Sequence, residues 1–115
     1  NRFTKEGRND KQDEAFEYVS RLANFRKSST AIISGKMMQF IPKDGLYVYF
    51  RYDSKQTVMV LANTGDKDVK PDWAWYAERI NGFTFGRNVV SGKITALNDL
   101  EIGSKESAVF ELFKQ

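Results

Sequence analysis

The sequence contains no cysteine and no histidine. Without cysteine there are no disulfides, thiolate zinc sites or cysteine nucleophiles, and the absence fits a reducing compartment as well as an oxidising one. Without histidine the commonest general base and transition-metal ligand is gone, so a Ser-His-Asp triad, a Cys-His pair or a His-ligated zinc cannot be built. No apolar run approaches the length of a membrane span, and no membrane partner is expected. The chain opens Asn1-Arg2-Phe3, with neither an initiator Met nor a signal peptide, and is expected to be an excised piece of a longer protein. A basic stripe is also missing. The net charge of +3 and pI near 9.2 would suit a nucleic-acid binder. Yet Lys and Arg alternate with Asp and Glu, as in Lys5-Glu6, Asp10-Lys11, Asp66-Lys67-Asp68 and Lys105-Glu106, so nothing tracks a phosphate backbone and no nucleic acid is expected.

What is present fits one folded domain: 115 residues, 41% hydrophobic and 29% charged. The aromatic residues, 14% of the chain, fall mainly in segments that alternate with period two, which favours β structure. Residues 1–9 are polar and read as a loop. A helix follows, with Asn9 or Asp10 as its cap, Asp13 and Glu14 in its first turns, and Arg26 and Lys27 near its end. Phe16, Val19, Leu22 and Ala23 form its apolar stripe, widened by Tyr18 and Phe25, and that stripe needs a surface to lean on. The helix is expected to stop around Ser28-Ser29-Thr30.

From Lys36 onward short alternating runs are broken by turn residues. Strands are expected at 36–41, 46–52, 57–63, near Val69, and at 86–90, 93–97, 100–102 and 107–113. The Val58-Met59-Val60-Leu61 run is apolar on both faces and predicts a central strand. Asp72 can cap a short helix that runs through Ile80 and ends at Asn81-Gly82. The fold expected is therefore mainly β: an antiparallel β-sandwich of about eight strands, Greek-key in type, with an N-terminal helix and one short inserted helix.

Trp73-Ala74-Trp75-Tyr76 is chemically suggestive, because indole and phenol faces stack on sugar rings. On a short helix, however, Trp73, Tyr76, Ala77 and Ile80 share the stripe that packs on a sheet, leaving Trp75 as the exposed ring. Tyr47, Tyr49 and Arg51 share one strand face, which could bind a ligand but more commonly is half-buried. Trp75, Tyr47 and Tyr49 are the candidate carbohydrate-binding residues. Asp66, Asp68 and Asp72 lack the dense alternation and glycine of a calcium loop, and read as solvated turn carboxylates. Gly82, Gly86 and Gly92 lack the Gly-Lys-Ser/Thr ending of a phosphate loop. No metal and no cofactor is expected.

Several strings, taken in order, resemble the end of an alpha-amylase-superfamily glycoside hydrolase, especially its cyclomaltodextrinase and neopullulanase members. Residues 17–29, Glu17-Tyr18-Val19-Ser20-Arg21-Leu22-Ala23-Asn24-Phe25-Arg26-Lys27-Ser28-Ser29, are similar to the last helix of that family's (β/α)8 barrel. Ser34-Gly35-Lys36 resembles the "G-(K/E)-x" opening of its C-terminal domain. Asp44 through Tyr52 is similar to its "x-V-Y-x-R" strand, Val58-Met59-Val60-Leu61-Ala62-Asn63 to its "V-x-V-x-x-N" strand, and Ser104 through Leu112 to its final strand. Phe3-Thr4-Lys5-Glu6-Gly7-Arg8 resembles the loop before the last barrel helix in the neopullulanase-like subgroup.

The resemblance implies that residues 1–30 end a catalytic barrel and that residues 31–115 form the C-terminal sandwich. It implies a non-catalytic accessory domain of an enzyme that hydrolyses α-glucans such as maltodextrin, cyclodextrin or pullulan. The alternative reading is a carbohydrate-binding module for α-glucans. The family's three catalytic carboxyl groups stand at the ends of earlier barrel strands, two of them roughly 5 Å apart across the scissile bond. No catalytic residue is carried over to this chain. The partner implied is the barrel of the same parent chain, with α-glucan as a second; in a fragment without its barrel the apolar face of the N-terminal helix is expected either to fold onto the sandwich or to remain exposed and drive self-association. The subgroup implies a periplasmic or otherwise exported location.

Overall fold

A computed structural model describes residues 10–114, with side chains from residue 17 onward. The loop expected at 1–9, including the Phe3–Arg8 string, and the side chains of the first helical turns through Phe16 lie outside the described residues. Helix α1 spans Asp10–Ser28, with Arg26 and Lys27 in its last turn as expected. A second helix, α2 (Thr30–Ser34), follows where the sequence suggested only a turn. Ser29 caps it, its hydroxyl accepting the Ile32 N–H at 3.3 Å.

Six strands then form one antiparallel sheet: β1 (Lys36–Gln39), β2 (Leu46–Tyr52), β3 (Thr57–Asn63), β4 (Phe85–Asn88), β5 (Ile94–Ala96) and β6 (Ser107–Phe113). Their spatial order is β1-β2-β3-β6-β4-β5. The final strand inserts beside β3, so β3 is interior, as its apolar run predicted. Asp44-Gly45 turns β1 into β2 with both residues at positive φ, 56° and 79°. That is the type I′ geometry that an Asp-Gly pair favours.

The expected eight-stranded sandwich is corrected to this single open sheet. The runs near Val69 and at 100–102 meet in one isolated bridge, Val69 to Ile102, rather than in strands. Leu100 and Ile102 are buried all the same, and Val69 is partly buried against the core. Leu97, Leu100 and Ile102 join Tyr76 and Ile80 over the sheet face formed by Leu46, Val48, Phe50, Met59, Leu61, Phe110 and Leu112. The layer opposing the sheet is thus a helix and loops. A 3-10 turn at Leu97–Asp99 interrupts the chain just where a second sheet would have needed a strand.

The inserted helix begins as a 3-10 turn, Trp73–Tyr76, and continues as α3 (Ala77–Ile80). Asp72 caps it by accepting the Ala74 N–H at 3.2 Å. Trp73, Tyr76 and Ile80 pack inward as the spacing predicts. Ala77 does not, because the tighter first turn shifts the helical phase and leaves Ala77 exposed. The helix ends in a type II turn, with Gly82 at φ 96° and Phe83 N–H bonded to Ile80 O at 3.0 Å. Among the described residues no helix is long and apolar enough to cross a membrane.

Candidate functional site

Alternation along β2 puts Leu46, Val48 and Phe50 into the core and leaves Tyr47, Tyr49 and Arg51 half-buried on the other face. Register continues that outer face across Val58 and Val60 of β3 to Val109 and Glu111 of β6. The end of α1 and all of α2 lie against it. Leu22, Arg26, Ile32, Met37, Val60 and Val109 line a groove of about 340 Å³ between the helices and the sheet. Of the apolar stripe read on α1, Leu22 and Phe25 are half-buried against the domain. Val19 is 64% and Tyr18 40% exposed.

A chain of polar side chains fastens the helices to this face. Ser29 donates its hydroxyl to Gln56 Oε1, which also accepts the Ala31 N–H at 3.3 Å. Gln56 Nε2 donates to Glu111 Oε2 at 2.8 Å, and Arg87 closes the chain on the other carboxylate oxygen of Glu111. Burial pushes the Glu111 carboxyl up, but hydrogen bonds from Gln56 and Arg87 and the charge of Arg87 outweigh it and hold the group below its usual value. Arg51 donates to the carbonyls of Ile32 at 2.7 Å, Gly35 at 3.3 Å and Ala31 at 3.4 Å. They cluster at the C-terminal end of α2, where Ala31 O also accepts the Gly35 N–H at 3.0 Å. Arg21 of α1 reaches Val90 O at 3.0 Å.

The three residues read as carbohydrate-binding are not brought together. Tyr47 and Tyr49 sit edge to face on the outer side, with ring centroids 6.1 Å apart. Trp75 rides on the element that covers the opposite face. Its indole is 45% exposed, its Nε1 donates to Ile41 O at 3.1 Å, and Lys43 Nζ stands 5.1 Å from the ring centroid. The three aspartates are engaged separately. Asp66 pairs with Lys105 at 3.4 Å, Asp68 accepts the Ser104 N–H at 3.0 Å, and Asp72 is a helix cap that also faces Lys43 at 3.7 Å. Among the described residues no group of three acidic side chains is placed to hold a metal ion.

Two features escaped the sequence reading. The Ser29–Gln56–Glu111–Arg87 chain joins the α1–α2 junction, the β2–β3 turn, β6 and β4, and only Ser29, a capping residue type before a short apolar segment, left any trace. The other is Arg79, whose guanidinium carbon lies 3.8 Å from the centroid of the Tyr52 ring.

The chain resembles parts of larger solved structures. It superposes on the Anoxybacillus alpha-amylase with a TM-score of 0.68 at 20% identity, covering 89% of this chain and 23% of that one. For the alpha-amylase of Geobacillus thermoleovorans, complexed with acarbose, the TM-score is 0.67 at 15% identity, covering 94% and 24%. For the maltogenic amylase from S. marinus it is 0.63 at 15%, covering 87% and 12%. At these identities the likeness shows a shared fold, and the chain spans about a quarter or less of each relative. The family model of the cyclomaltodextrinase C-terminal domain matches residues 37–111. That match runs from within β1 to within β6, covers all or most of every strand and spans more than half of the chain, so this chain belongs to the cyclomaltodextrinase C-terminal domain family.

Proposed function

We propose that this chain is the non-catalytic C-terminal domain of an alpha-amylase-family enzyme that hydrolyses α-glucans, in which residues 1–30 end the catalytic barrel and residues 31–115 brace it. The observation that carries this reading is the divided state of α1. Its C-terminal end is fastened to the rest of the domain through Leu22, Arg21 and Ser29, while Tyr18 and Val19 are exposed. A helix of this length takes most of its stability from tertiary packing, so an apolar face left open asks for a neighbour. The relatives' chains, four or more times longer than the matched region, are where such a neighbour would come from.

Sedimentation velocity tests the reading directly. The chain is expected to self-associate through the open face of α1, and Tyr18→Lys with Val19→Lys is expected to return it to monomer. A monomeric parent chain whose behaviour the double substitution leaves unchanged sinks the bracing role. Incubation with maltodextrin is expected to release no reducing ends, and measurable release would contradict the non-catalytic assignment.

The exposed indole of Trp75 favours a second reading, α-glucan binding by ring stacking, with the Tyr47 and Tyr49 face as a separate alternative. Titration with maltoheptaose, followed by tryptophan fluorescence in the parent and in Trp75→Ala, decides it. A change present in the parent and absent in the variant supports stacking at Trp75. No response at about 1 mM ligand, where binding is worth only about 4 kcal/mol, removes it.

A further inference from the structure

A cleft between the start of β1, the β2–β3 turn and α3 carries charge that neither the fold nor the bracing role uses. Arg79 lays its guanidinium over Tyr52, with Cζ 3.8 Å from the ring centroid. Stacking fixes the plane of the fork, and its N–H donors lie in that plane. Its Nε is buried and lacks a hydrogen-bond partner, and it is the one such buried side-chain atom among the described residues. A buried donor without an acceptor costs stability unless something supplies one.

The cleft has a volume of about 440 Å³ and is lined also by Ser34, Lys36, Asp53 and Ser54. Lys36 is the direct cross-strand partner of Tyr52, so its ammonium rises from the same sheet face as the stacked pair. Asp53 is the single carboxylate in the lining. Its Oδ1 already accepts the Lys55 and Gln56 N–H groups, both at 2.8 Å, and the Thr30 side chain also hydrogen-bonds the carboxylate, so the protein itself supplies donors to it. Ser34 donates its hydroxyl to Thr30 O, whereas the Ser54 hydroxyl remains available.

We propose that this cleft binds a phosphate group, with Arg79 donating a forked pair of hydrogen bonds, Lys36 supplying the second positive charge and Ser54 a further donor. A carboxylate would be satisfied by the arginine fork alone. A phosphate group presents enough acceptor oxygens to engage all three side chains at once. Inorganic phosphate and a phosphate monoester share this chemistry.

The nitrogen-labelled 115-residue chain is titrated with inorganic phosphate, glycerol phosphate and acetate in separate arms. The backbone amide resonances of Asp53 and Ser54, which line the cleft, are followed by NMR at low ionic strength, with the Arg79 Nε–Hε resonance as a second reporter in the parent chain. A saturable shift is expected with a Kd on the order of 1 mM, weakened about tenfold or more in Arg79→Gln and unchanged in Lys114→Gln. Should Arg79→Gln fail to fold, Lys36→Gln leaves the stacked pair in place and is expected to weaken binding about threefold. Tighter binding of glycerol phosphate assigns the site to a monoester, and the reverse order assigns it to the free ion. A response still linear at about 20 mM phosphate in the folded parent chain, or acetate binding as tightly as phosphate, overturns the proposal.

Discussion

Asn63, at the end of β3, is 3% exposed and organises two loops through one side chain. Its Nδ2 points at three carbonyls, Lys67 O at 2.8 Å and Ile102 O and Gly103 O at 3.1 Å each, while its Oδ1 accepts the Gly65 N–H at 2.9 Å. An amide has two hydrogens, so the three carbonyls share them. If the side chain is cut back in Asn63→Ala, Ile102 O keeps the Val69 N–H at 2.9 Å and Gly103 O keeps the Glu106 N–H at 3.1 Å. The loss is then two donated bonds and one accepted, at about 1 kcal/mol each, or about 3 kcal/mol and a fall of about 12 °C in Tm. Asn63→Asp preserves the shape but turns an oxygen toward the same carbonyls. Burial and those carbonyls disfavour the charged form, so the folded pKa of the introduced carboxyl rises above its unfolded value of about 3.9. The folded state then holds the proton more tightly than the unfolded state. Relative to the parent, the variant is most stable below about pH 3.9, loses stability as pH rises to the folded pKa, and is level beyond it. Urea unfolding followed by tryptophan fluorescence should find Asn63→Asp less damaging than Asn63→Ala at acid pH and more damaging at neutral pH. Equal losses at both pH values, or a cost for Asn63→Ala below about 1 kcal/mol, would refute the reasoning.

Gly35→Ala is expected to cost more than about 2 kcal/mol in thermal unfolding, because an added Cβ would lie 2.3 Å from Ala31 O and 2.6 Å from Tyr52 O. Both are backbone atoms that no rotamer change can move, and with φ at −78° the conflict is steric rather than torsional; an unchanged Tm would contradict it. Glu111, held below its usual pKa, contributes stability that is present above its unfolded value and lost as pH falls through the folded one. Glu111→Gln should therefore flatten the acid limb of a plot of urea midpoint against pH between neutrality and about pH 3, and a limb as steep as the parent's would argue against it. Gln56→Leu breaks the link between Ser29 and Glu111. It should raise amide hydrogen exchange in α2 and the end of α1 while leaving β3 and β6 protected; uniform exchange across the chain would count against a local fastening.

The sheet was legible because its strands are half-buried. In β2 the alternation of Leu46, Val48 and Phe50 with Tyr47, Tyr49 and Arg51 reports burial residue by residue, and Asp44-Gly45 states the turn that sets its register. The second layer was misread because periodicity says that a residue is buried without naming its backbone partner. Leu100 and Ile102 are inside and Val69 is partly buried against them, yet the Val69 and Ile102 amides bond to each other's carbonyls as one isolated bridge rather than within a strand ladder. For the candidate site, the exposure of Trp75 followed from helical spacing. The role of Arg51 did not, because its acceptors belong to α2, a helix of five residues too short to leave a periodic signal. The Arg79–Tyr52 stack joins α3 to the end of β2, and no local pattern encodes such a meeting.

The two faces of the sheet are finished by different physics. The inner face is closed mainly by apolar contact, with Tyr76, Ile80, Leu97, Leu100 and Ile102 covering it and the Asn63 and Trp73 hydrogen bonds pinning its loops, so burial supplies most of the stability there. The outer face is joined to α1 and α2 by hydrogen bonds and charge, through Ser29, Gln56, Glu111, Arg87, Arg51 and Arg21. Partly exposed polar links of this kind add little net stability, since each replaces water contacts, but their directionality fixes geometry. Their combined effect is to set the direction in which α1 leaves the sheet. A domain that only needed to stay folded would gain more from apolar side chains at Gln56 and Glu111. A domain whose helix must meet a larger neighbour at one angle gains from the polar set that is there.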